Sequence, residues 1–208
     1  MIPYLALYIF IVALFGSIPF GYYLSLWVKK EDIRKSGSGN IGATNVTRVL
    51  GLKFGLISFM LDFLKGFLPY WVASQWIFPQ LAPGWLLLAT IPAILGHNFS
   101  PFLGFKGGKG VSSTVGLLIA YHPILALWCL AAWLLFLILF GYVSLSSIIA
   151  LLAAPLLVLL SSWFYTYPTD TLALFLIALL GIFQHRSNIK RLIEGKENRM
   201  FSYALIKK

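Results

Sequence analysis

The sequence is poor in charged residues and in cysteine. Only 11% of its 208 residues are charged and 60% are hydrophobic, with a mean hydropathy of +0.88, whereas soluble domains are about 25% charged and about 45–50% apolar. An ordinary water-soluble domain and a disordered chain are therefore excluded. The one cysteine, Cys129, lies in an apolar run and offers neither a disulfide nor a metal cluster. The composition indicates a bundle of membrane helices.

Acidic residues and catalytic histidine motifs are also scarce. The chain has six Asp and Glu residues and three His. It has no pair of convergent carboxylates, no Ser-His-Asp order and no Cys-His metal spacing. No histidine is followed by aspartate five positions later, so the His-x4-Asp acyltransferase motif is absent. We therefore predict no metal ion and no cofactor.

Basic residues are abundant by contrast, and the net charge is +10. All of the 16 Lys and Arg residues except Lys65 fall in three regions, which are Lys29–Lys53, Lys106–Lys109 and Arg186–Lys208. Basic clusters between apolar tracts mark cytoplasmic loops, and they suit anionic head groups or phosphorylated substrates. We expect contact with membrane lipid rather than nucleic acid, and no obligatory protein partner.

Seven apolar runs are candidates for membrane spans, each of which needs about 20 residues to cross about 30 Å of hydrocarbon. Val111–Ala120 covers only about half of that thickness. Counting it as a span makes four crossings between the second and third basic regions, which keeps both on one side of the membrane. The other six runs are Ile2–Val28, Phe54–Phe78, Gly84–Leu103, Pro123–Phe140, Val143–Trp163 and Thr171–Phe183.

The predicted fold is an all-α, polytopic integral membrane helix bundle of about seven transmembrane helices, with the N-terminus outside and the C-terminus in the cytoplasm. This orientation leaves two outer loops, Pro79–Pro83 and Phe164–Asp170, without Lys or Arg. The sequence has no internal repeat. We expect residues 1–208 to form a single membrane-embedded domain with three cytoplasmic loops, at 36–48, 96–111 and 185–199.

The first loop carries three glycines among Ser, Thr and Asn residues. Such a segment can turn sharply and direct backbone N–H groups at an anion. Thr44 or Asn45 can also cap the helix that follows. A flexible linker is the alternative, but a linker has little need for Asn40, Thr44, Asn45 and Arg48 together. We interpret the loop as an anion site.

The second loop contains Gly107-Gly108-Lys109-Gly110 just before an apolar helix. Backbone N–H groups, the positive helix N-terminus and the lysine charge would converge there on a phosphate. A Walker A loop is excluded, because Gly110 stands after Lys109 where that motif has Ser or Thr. A lysine-bearing turn of the positive-inside type is the alternative.

The third loop runs from His185 through Arg186 and Asn188 to Glu197. On a helix His185 and Asn188 share a face, and His185 can titrate near neutral pH. Ser144, on the same side of the membrane, offers a further hydroxyl. A basic amphipathic helix at the membrane surface is the alternative interpretation.

Asp62 and Lys65 lie three residues apart inside the second apolar run. Charges within a membrane mark a function or a neutralising pair. We expect a structural pair that supports the floor of the site. The pair also fits a carrier for organic phosphates, although polar loops on one face argue against access from both sides.

At these loops the sequence resembles the bacterial acyl-phosphate:glycerol-3-phosphate acyltransferases, the PlsY family. The matching stretches are GSGNIGATNVTR at 37–48, GHNFSPFLGFKGGKGV at 96–111 and HRSNIKRL at 185–192. They stand in the order of the family, and the resemblance covers essentially the whole chain. It implies transfer of a fatty acyl group from acyl phosphate to the 1-hydroxyl of glycerol 3-phosphate. The products would be lysophosphatidic acid and phosphate, in the first acylation step of phospholipid biosynthesis at the cytoplasmic face of the bacterial inner membrane.

The resemblance also implies residue roles. Ser38, His185 and Asn188 are expected to be catalytic, and Glu197 to be largely structural. The residues expected to bind the phosphorylated substrates are Gly42, Thr44, Asn45, Arg48, Lys106, Gly107, Gly108, Lys109, Gly110, Ser144 and Arg186.

Two routes are open for the proton of the attacking hydroxyl. His185 can remove it as a general base, or a phosphate oxygen of the substrate can take it. We favour the second route, because no carboxylate that would orient His185 is evident. Acyl-CoA or acyl-carrier protein is the alternative donor, but the chain has no long soluble surface for docking a carrier protein.

Overall fold

The computed structural model describes residues 2–160 and 167–200, and these residues are all helical apart from turns and loops, with no β-strand among them. This confirms the predicted all-α fold. The α-helices of the described residues are α1 (Ile2–Ser17), α2 (Phe20–Lys29), α3 (Ala43–Leu50), α4 (Leu52–Val72), α5 (Pro83–Asn98), α6 (Val111–Tyr121), α7 (Pro123–Phe140), α8 (Val143–Leu160), α9 (Pro168–Gln184) and α10 (Arg186–Ile193).

Five helical segments of the described residues, some of which join two consecutive helices, are long and apolar enough to cross a membrane. α9 and α10, bent by 59° relative to each other, make one span if they are taken together. α6 has 11 residues, fewer than a full crossing needs. The count of seven spans and the orientation of the termini therefore stay predictions. The other spans are Ile2–Lys29, Leu52–Ile77, Pro83–Leu103, Pro123–Phe140 and Val143–Leu160.

The surface of the helices is apolar, as expected for an integral membrane protein. On α7 the side chains of Ile124, Trp128 and Ile138 are 59%, 58% and 68% exposed. A helix that is hydrophobic all round and yet exposed is stable only when lipid covers it.

The first predicted span is broken at a proline. Pro19 lies between α1 and α2, where it cannot donate the backbone hydrogen bond that a continuous helix requires. The predicted span over Ile2–Val28 is thus present as a candidate span, Ile2–Lys29, that consists of two helices. In the second span, α4 continues into a π-helical turn at Ala73–Ile77, close to the predicted end.

The expected capping of the helix after the first loop is wrong. α3 begins at Ala43, so Thr44 and Asn45 lie inside it, and the preceding Gly42 provides no side-chain cap. This start frees the side chain of Asn45 for contacts with the loop.

The last two predicted spans are confirmed only in part. Val143–Trp163 is helical to Leu160, and residues 161–163 lie outside the described residues, as do residues 164–166 of the predicted outer loop. The described end of that loop is shorter than predicted, because α9 already begins at Pro168. Proline favours the first turn of a helix, where its missing N–H needs no partner.

The helices form two compact units, Met1–Pro123 and Ile124–Lys208. The single domain expected over residues 1–208 stays a prediction. The first unit contains the first two motif loops, and the second contains the third.

Glycines bring α4 and α6 into backbone contact in the first unit. A Cβ on Gly66 would overlap the carbonyl of Ser113, and a Cβ on Gly116 would overlap the carbonyl of Phe63. Small residues of this kind allow close packing of membrane helices. The start of α6 is tied to α4 as well, since Oγ of Ser113 donates to the Asp62 carbonyl at 2.8 Å.

Candidate active site

The first motif loop is held by the side chain of Asn45, which is only 2% exposed. Its Oδ1 accepts from the N–H of Ser38 at 2.7 Å, and its Nδ2 donates to the carbonyls of Ser36 at 3.1 Å and Asn40 at 2.8 Å. A Cβ at Gly37 would overlap Oδ1. The structure thus shows Asn45 supporting the loop, while its predicted contact with substrate stays a prediction.

The groups of this loop that face outward are Ser38, Thr44 and Arg48, all exposed. Thr44 and Arg48 are one turn apart on α3 and share a face. Arg48 has no ion-pair partner in the part of the chain that the structure describes. The N–H of Gly42, another predicted binding residue, is bonded to Oδ1 of Asn40 at 2.8 Å.

An apolar cluster joins the first loop to the second. Ile33, Ile41, Val46 and Leu103 are buried together, with 0 to 6% of their surface exposed. Nη1 of Arg34 also donates to the Leu103 carbonyl at 3.4 Å. The structure therefore brings these two polar loops together, as a shared anion site requires.

The second motif loop is anchored on the end of α5. The N–H groups of Gly107 and Gly108 donate to the carbonyls of Asn98 at 3.1 Å and His97 at 3.0 Å. They satisfy carbonyls that the helix end leaves unpaired, and these two N–H groups are therefore not available for the predicted phosphate cradle. Gly110 has φ +77°, a left-handed conformation that glycine adopts without strain.

The helix α6 starts directly after this loop, at Val111, and its first-turn N–H groups have no partner within the helix. Lys106 is exposed and Lys109 is half-buried. The lysine charges and the helix start therefore remain as the expected anion-binding features of the loop.

Below this loop the predicted pair of Asp62 and Lys65 is present, with 2.6 Å between Oδ1 and Nζ. Their side chains are 2% and 0% exposed. His97 completes the group, with Nδ1 at 3.2 Å from Nζ of Lys65 and 3.4 Å from Oδ1 of Asp62. The ammonium also lies 4.8 Å from the centre of the Phe20 ring.

The contribution of His97 was missed in the residue assignments made from the sequence. The available signal was its place in the second motif, where His97-Asn98 precede the glycines. A buried lysine and aspartate have hydrogen-bonding capacity beyond each other, so a third polar partner was to be expected.

In the second unit, His185 lies at the bend between α9 and α10 and is 1% exposed. Its Nδ1 lies 2.7 Å from the carbonyl of Gly181. A carbonyl only accepts, so this contact requires a proton on Nδ1. The backbone carbonyl orients the ring, a role for which the sequence offered no evident carboxylate.

Glu197 organises the polar groups around α10. Its Oε1 accepts from Asn188 at 2.6 Å and from Ser144 at 2.8 Å, and its Oε2 accepts from Nε of Arg191 at 2.6 Å. Burial alone would raise the pKa of this carboxyl, but the hydrogen bonds and the Arg191 charge outweigh burial and lower the pKa. These contacts fit the structural part expected for Glu197, and they use the hydroxyl proton of Ser144.

Arg186 is exposed and bonds within its own turn. Nη1 donates to the Phe183 carbonyl at 3.0 Å, and the guanidinium lies 4.5 Å from the centre of the Phe183 ring. Its predicted contact with substrate stays a prediction. Among residues 2–160 and 167–200, no group of three or more His, Cys, Asp or Glu side chains is placed to hold a metal ion.

The chain is similar to known proteins over nearly its full length. The sequence model of the family described as "Glycerol-3-phosphate acyltransferase" matches residues 6–195. A glycerol-3-phosphate acyltransferase of Aquifex aeolicus is 43% identical over 197 residues, which cover 93% of this chain and 98% of the relative. One of Endomicrobium trichonymphae is 43% identical over 195 residues, which cover 93% of this chain and 94% of the relative.

Two solved structures are similar to this chain over nearly its full length. A crystal structure of PlsY, an integral membrane glycerol 3-phosphate acyltransferase, in its glycerol 3-phosphate form has a TM-score of 0.87 at 37% identity, and the match covers 98% of this chain and 99% of that chain. The lysophosphatidic acid form of the same protein has a TM-score of 0.84 at 36% identity, with the same coverage. The motif loops, the membrane helices and these similarities together show that the chain belongs to the PlsY family of glycerol-3-phosphate acyltransferases.

Proposed function

We propose that this acyltransferase moves a fatty acyl group from an acyl phosphate to the 1-hydroxyl of glycerol 3-phosphate, giving lysophosphatidic acid and phosphate. The observation that carries the proposal is the pairing of two Gly-rich loops on one apolar cluster, Ile33, Ile41, Val46 and Leu103. Both substrates of such a reaction carry phosphate, and the paired loops offer hydroxyl, guanidinium and ammonium groups. The similar PlsY structures, a glycerol 3-phosphate form and a lysophosphatidic acid form, support the same acceptor and product.

Acyl phosphate is already activated, so the protein has mainly to align the alcohol and stabilise the oxyanion. The alcohol oxygen attacks the acyl carbonyl, a tetrahedral intermediate forms, and the bond to the phosphate oxygen breaks as phosphate leaves. Arg48 and Lys106, both exposed at the paired loops, supply positive charge for the phosphates. The fatty tail of the donor enters from the bilayer between helices.

In this proposal His185 is the general base, in place of the substrate phosphate oxygen that we favoured from the sequence. The contact of Nδ1 with the Gly181 carbonyl at 2.7 Å orients the ring at the bend between α9 and α10, and an oriented histidine is suited to take the hydroxyl proton. Asn188, held by Glu197 at 2.6 Å, positions a reacting group. Transfer of the proton to a phosphate oxygen of the substrate is the alternative route.

The activity is tested with purified protein in detergent, given palmitoyl phosphate and glycerol 3-phosphate, with each substrate omitted in turn. Phosphate release that needs both substrates, with lysophosphatidic acid as the product, is the expected result. No release from a well-folded preparation would overturn the acyl phosphate donor. Acyl-CoA is then the next donor to supply, and uptake of glycerol 3-phosphate into vesicles tests a carrier.

The two proton routes are separated by His185→Gln, which keeps a polar side chain but removes the base. We expect kcat to fall by about 10²- to 10⁴-fold with little change in KM. His122→Gln, at the turn between α6 and α7, is the matched control and should keep wild-type activity. Near-normal kcat in His185→Gln would assign the proton to the substrate phosphate.

We also propose that the enzyme lies in the bacterial cytoplasmic membrane with its motif loops in the cytoplasm. Cys129 is buried, so a Cys129→Ser background allows single cysteines to be placed at Lys196 and Gln80, both exposed. In intact cells, a membrane-impermeant maleimide should label Gln80→Cys but not Lys196→Cys. The reverse pattern would overturn this orientation.

A further inference from the structure

The second motif loop begins at the depth of the membrane rather than beyond it. The helix α5, which leads into the loop, has 16 residues, and a helix of this length spans about 24 Å. The hydrocarbon core is about 30 Å thick, so α5 alone falls short of a full crossing. The candidate membrane span that contains α5 runs on to Leu103. The first residues of the loop therefore belong to the membrane span by composition.

The turn at the start of the loop pairs its own backbone. Three consecutive N–H groups donate to carbonyls within the turn. They belong to Leu103, Gly104 and Phe105, and their acceptors are the carbonyls of Ser100, Pro101 and again Ser100, at 3.1, 3.2 and 2.8 Å. Hydrocarbon offers no hydrogen-bond partner, so an irregular segment at membrane depth has to pair these groups inside the protein. The turn meets that condition.

Two phenylalanines of the turn lie on the outside of the protein. Phe102 is 56% exposed and Phe105 is 68% exposed, whereas Leu103 between them is buried in the apolar cluster that joins the two loops. Leu103 therefore fixes the turn to the protein and leaves the two rings uncovered. Exposed aromatic rings are unfavourable in water, but aromatic residues are favoured where a membrane meets water.

The backbone of Phe105 gives independent evidence for a contact outside the folded chain. Its φ is +61°, a left-handed conformation that glycine adopts freely and that costs free energy for a bulky side chain. Among the described residues other than glycine, only Lys30 and Phe105 have a positive φ. Such strain persists where a functional contact offsets it. Because most of the Phe105 ring is uncovered by the protein, we look for that contact in the surroundings.

The neighbours of the two rings favour phospholipid as this contact. Lys106 follows Phe105 directly and is exposed, and Leu95 on the preceding helix is 40% exposed. Aromatic rings at the end of an apolar span, followed by a lysine, are typical of a segment at the membrane surface. The rings can lie among acyl chains while the ammonium reaches the lipid phosphates.

We propose that Phe102 and Phe105 insert into the lipid bilayer and hold the second motif loop, with Lys106, at the depth of the lipid phosphates. The partner is the phospholipid membrane, which contacts the rings through its acyl chains. The consequence for catalysis rests on the proposed function, because a loop at this depth meets the phosphate of an acyl phosphate whose chain stays in the bilayer.

The depth of the rings is tested with spin labels in a Cys129→Ser background. Single cysteines replace Phe102 or Phe105, and the labelled protein is placed in phospholipid nanodiscs. Oxygen concentrates in the bilayer, whereas a water-soluble nickel complex stays outside it, and EPR measures how often each collides with the label. We expect oxygen collisions to dominate at both positions, as at Leu127→Cys on α7, the lipid-facing reference. Lys196→Cys is the reference for a label in water.

Two results of the depth measurement would overturn the proposal. One is a collision ratio at both positions equal to that of the label at Lys196→Cys. The other is spin–spin broadening that disappears on dilution with unlabelled protein, which would assign the rings to contact with a second copy of the chain. The measurement does not depend on turnover, so an inactive preparation would count against the proposed function and leave this test intact.

The effect on the reaction is tested by comparing Phe105→Asn with Phe105→Leu. Asn adopts the left-handed conformation more readily but is polar, whereas Leu keeps an apolar side chain together with the strain. In nanodiscs, KM for palmitoyl phosphate should be about fivefold or more higher in Phe105→Asn than in Phe105→Leu, a fraction of what full burial of an aromatic ring contributes. KM for glycerol 3-phosphate should be the same in both.

A role confined to the backbone of the turn would give the opposite order. Phe105→Asn would then be the milder variant, because it relieves the strain. Equal or reversed KM values for palmitoyl phosphate in the two folded variants would overturn the claim that the rings hold the loop at the depth of the donor. His122→Gln is the control and should leave both KM values unchanged.

Discussion

In the first unit the ion pair of Asp62 and Lys65 is buried among helices, whereas in the second unit the carboxylate of Glu197 lies near the surface after α10. The side chains of the first pair are 2% and 0% exposed. The Glu197 side chain is 7% exposed, but its partner Arg191 is 37% exposed. Water reaches Arg191 and can solvate its charge if the contact with Glu197 is lost, but it does not reach the pair of Asp62 and Lys65. Loss of a charge should therefore lower the stability of the protein more at Asp62 and Lys65 than at Glu197 and Arg191.

The largest effect is expected from Lys65→Met, which leaves the buried Asp62 carboxylate without its ammonium partner in the first unit. Breaking a buried pair from one side costs about 3–5 kcal/mol. The double variant Asp62→Asn with Lys65→Met leaves no charge and should recover much of that loss. Thermal unfolding in detergent measures both. A single variant as stable as wild type, or a double variant no better than the single, would remove the contrast between the two units.

The next effect concerns the loop above this pair. Gly108→Ala places a Cβ on Nε2 of His97, and the resulting displacement should lower kcat/KM about a hundredfold. Gly104→Ala is the control, because a Cβ there meets no atom within 4 Å although φ is +64°. It should add only about 1–3 kcal/mol of backbone strain and leave activity nearly unchanged. Equal losses in both variants would mean that strain, rather than overlap, limits activity.

A smaller effect, and one that depends on pH, is expected at Glu197 in the second unit. Its pKa is lowered in the folded protein, so its contribution to stability is present above the pKa of the unfolded chain and is lost as pH falls through the folded value. Wild-type thermal stability should therefore decline below about pH 5. Glu197→Gln should be less stable at pH 7 and show less of this decline.

Glu194→Gln is the matched control, since Glu194 is an exposed residue that pairs with Lys190 and Lys196 at 3.9 and 3.3 Å. It should leave the pH dependence of unfolding unchanged. Identical pH profiles for the Glu197 and Glu194 variants would assign the acid sensitivity to other groups.

The smallest effect is expected at Asp32, which pairs with Arg34 at 2.7 Å beside the first loop. A hydrogen bond from Arg34 lowers the pKa of this carboxyl, but both side chains are partly exposed. Asp32→Asn should change the free energy of unfolding by less than about 1 kcal/mol, and less at high salt. If Asp32→Asn lowered the free energy of unfolding as much as Lys65→Met, exposure would not determine how much each ion pair contributes to stability.

The fold and most motif loops were predictable from the sequence, and the contacts inside the loops were not. Both ends of the apolar run Pro123–Phe140 were predicted to the residue, because a lipid-facing helix can be recognised from its composition alone. Asn45 was assigned to substrate, yet its amide is bonded to three residues of its own loop. Nothing in a Gly-rich string tells whether a polar side chain faces the ligand or the backbone.

The membrane helices, the confinement of basic residues to loops and the family could be predicted from the amino-acid sequence, because hydropathy and short motifs are properties of adjacent residues. The contact of His97 with Lys65, 32 positions away, results from helix packing. The bonds from the N–H groups of Gly107 and Gly108 to α5 carbonyls likewise became visible only in the folded chain. These pairings depend on which helix faces approach, and glycines such as Gly66 set that approach by allowing backbones to touch. Helix packing, rather than the local sequence pattern, therefore determines which polar groups are used within the protein and which can contact the substrate.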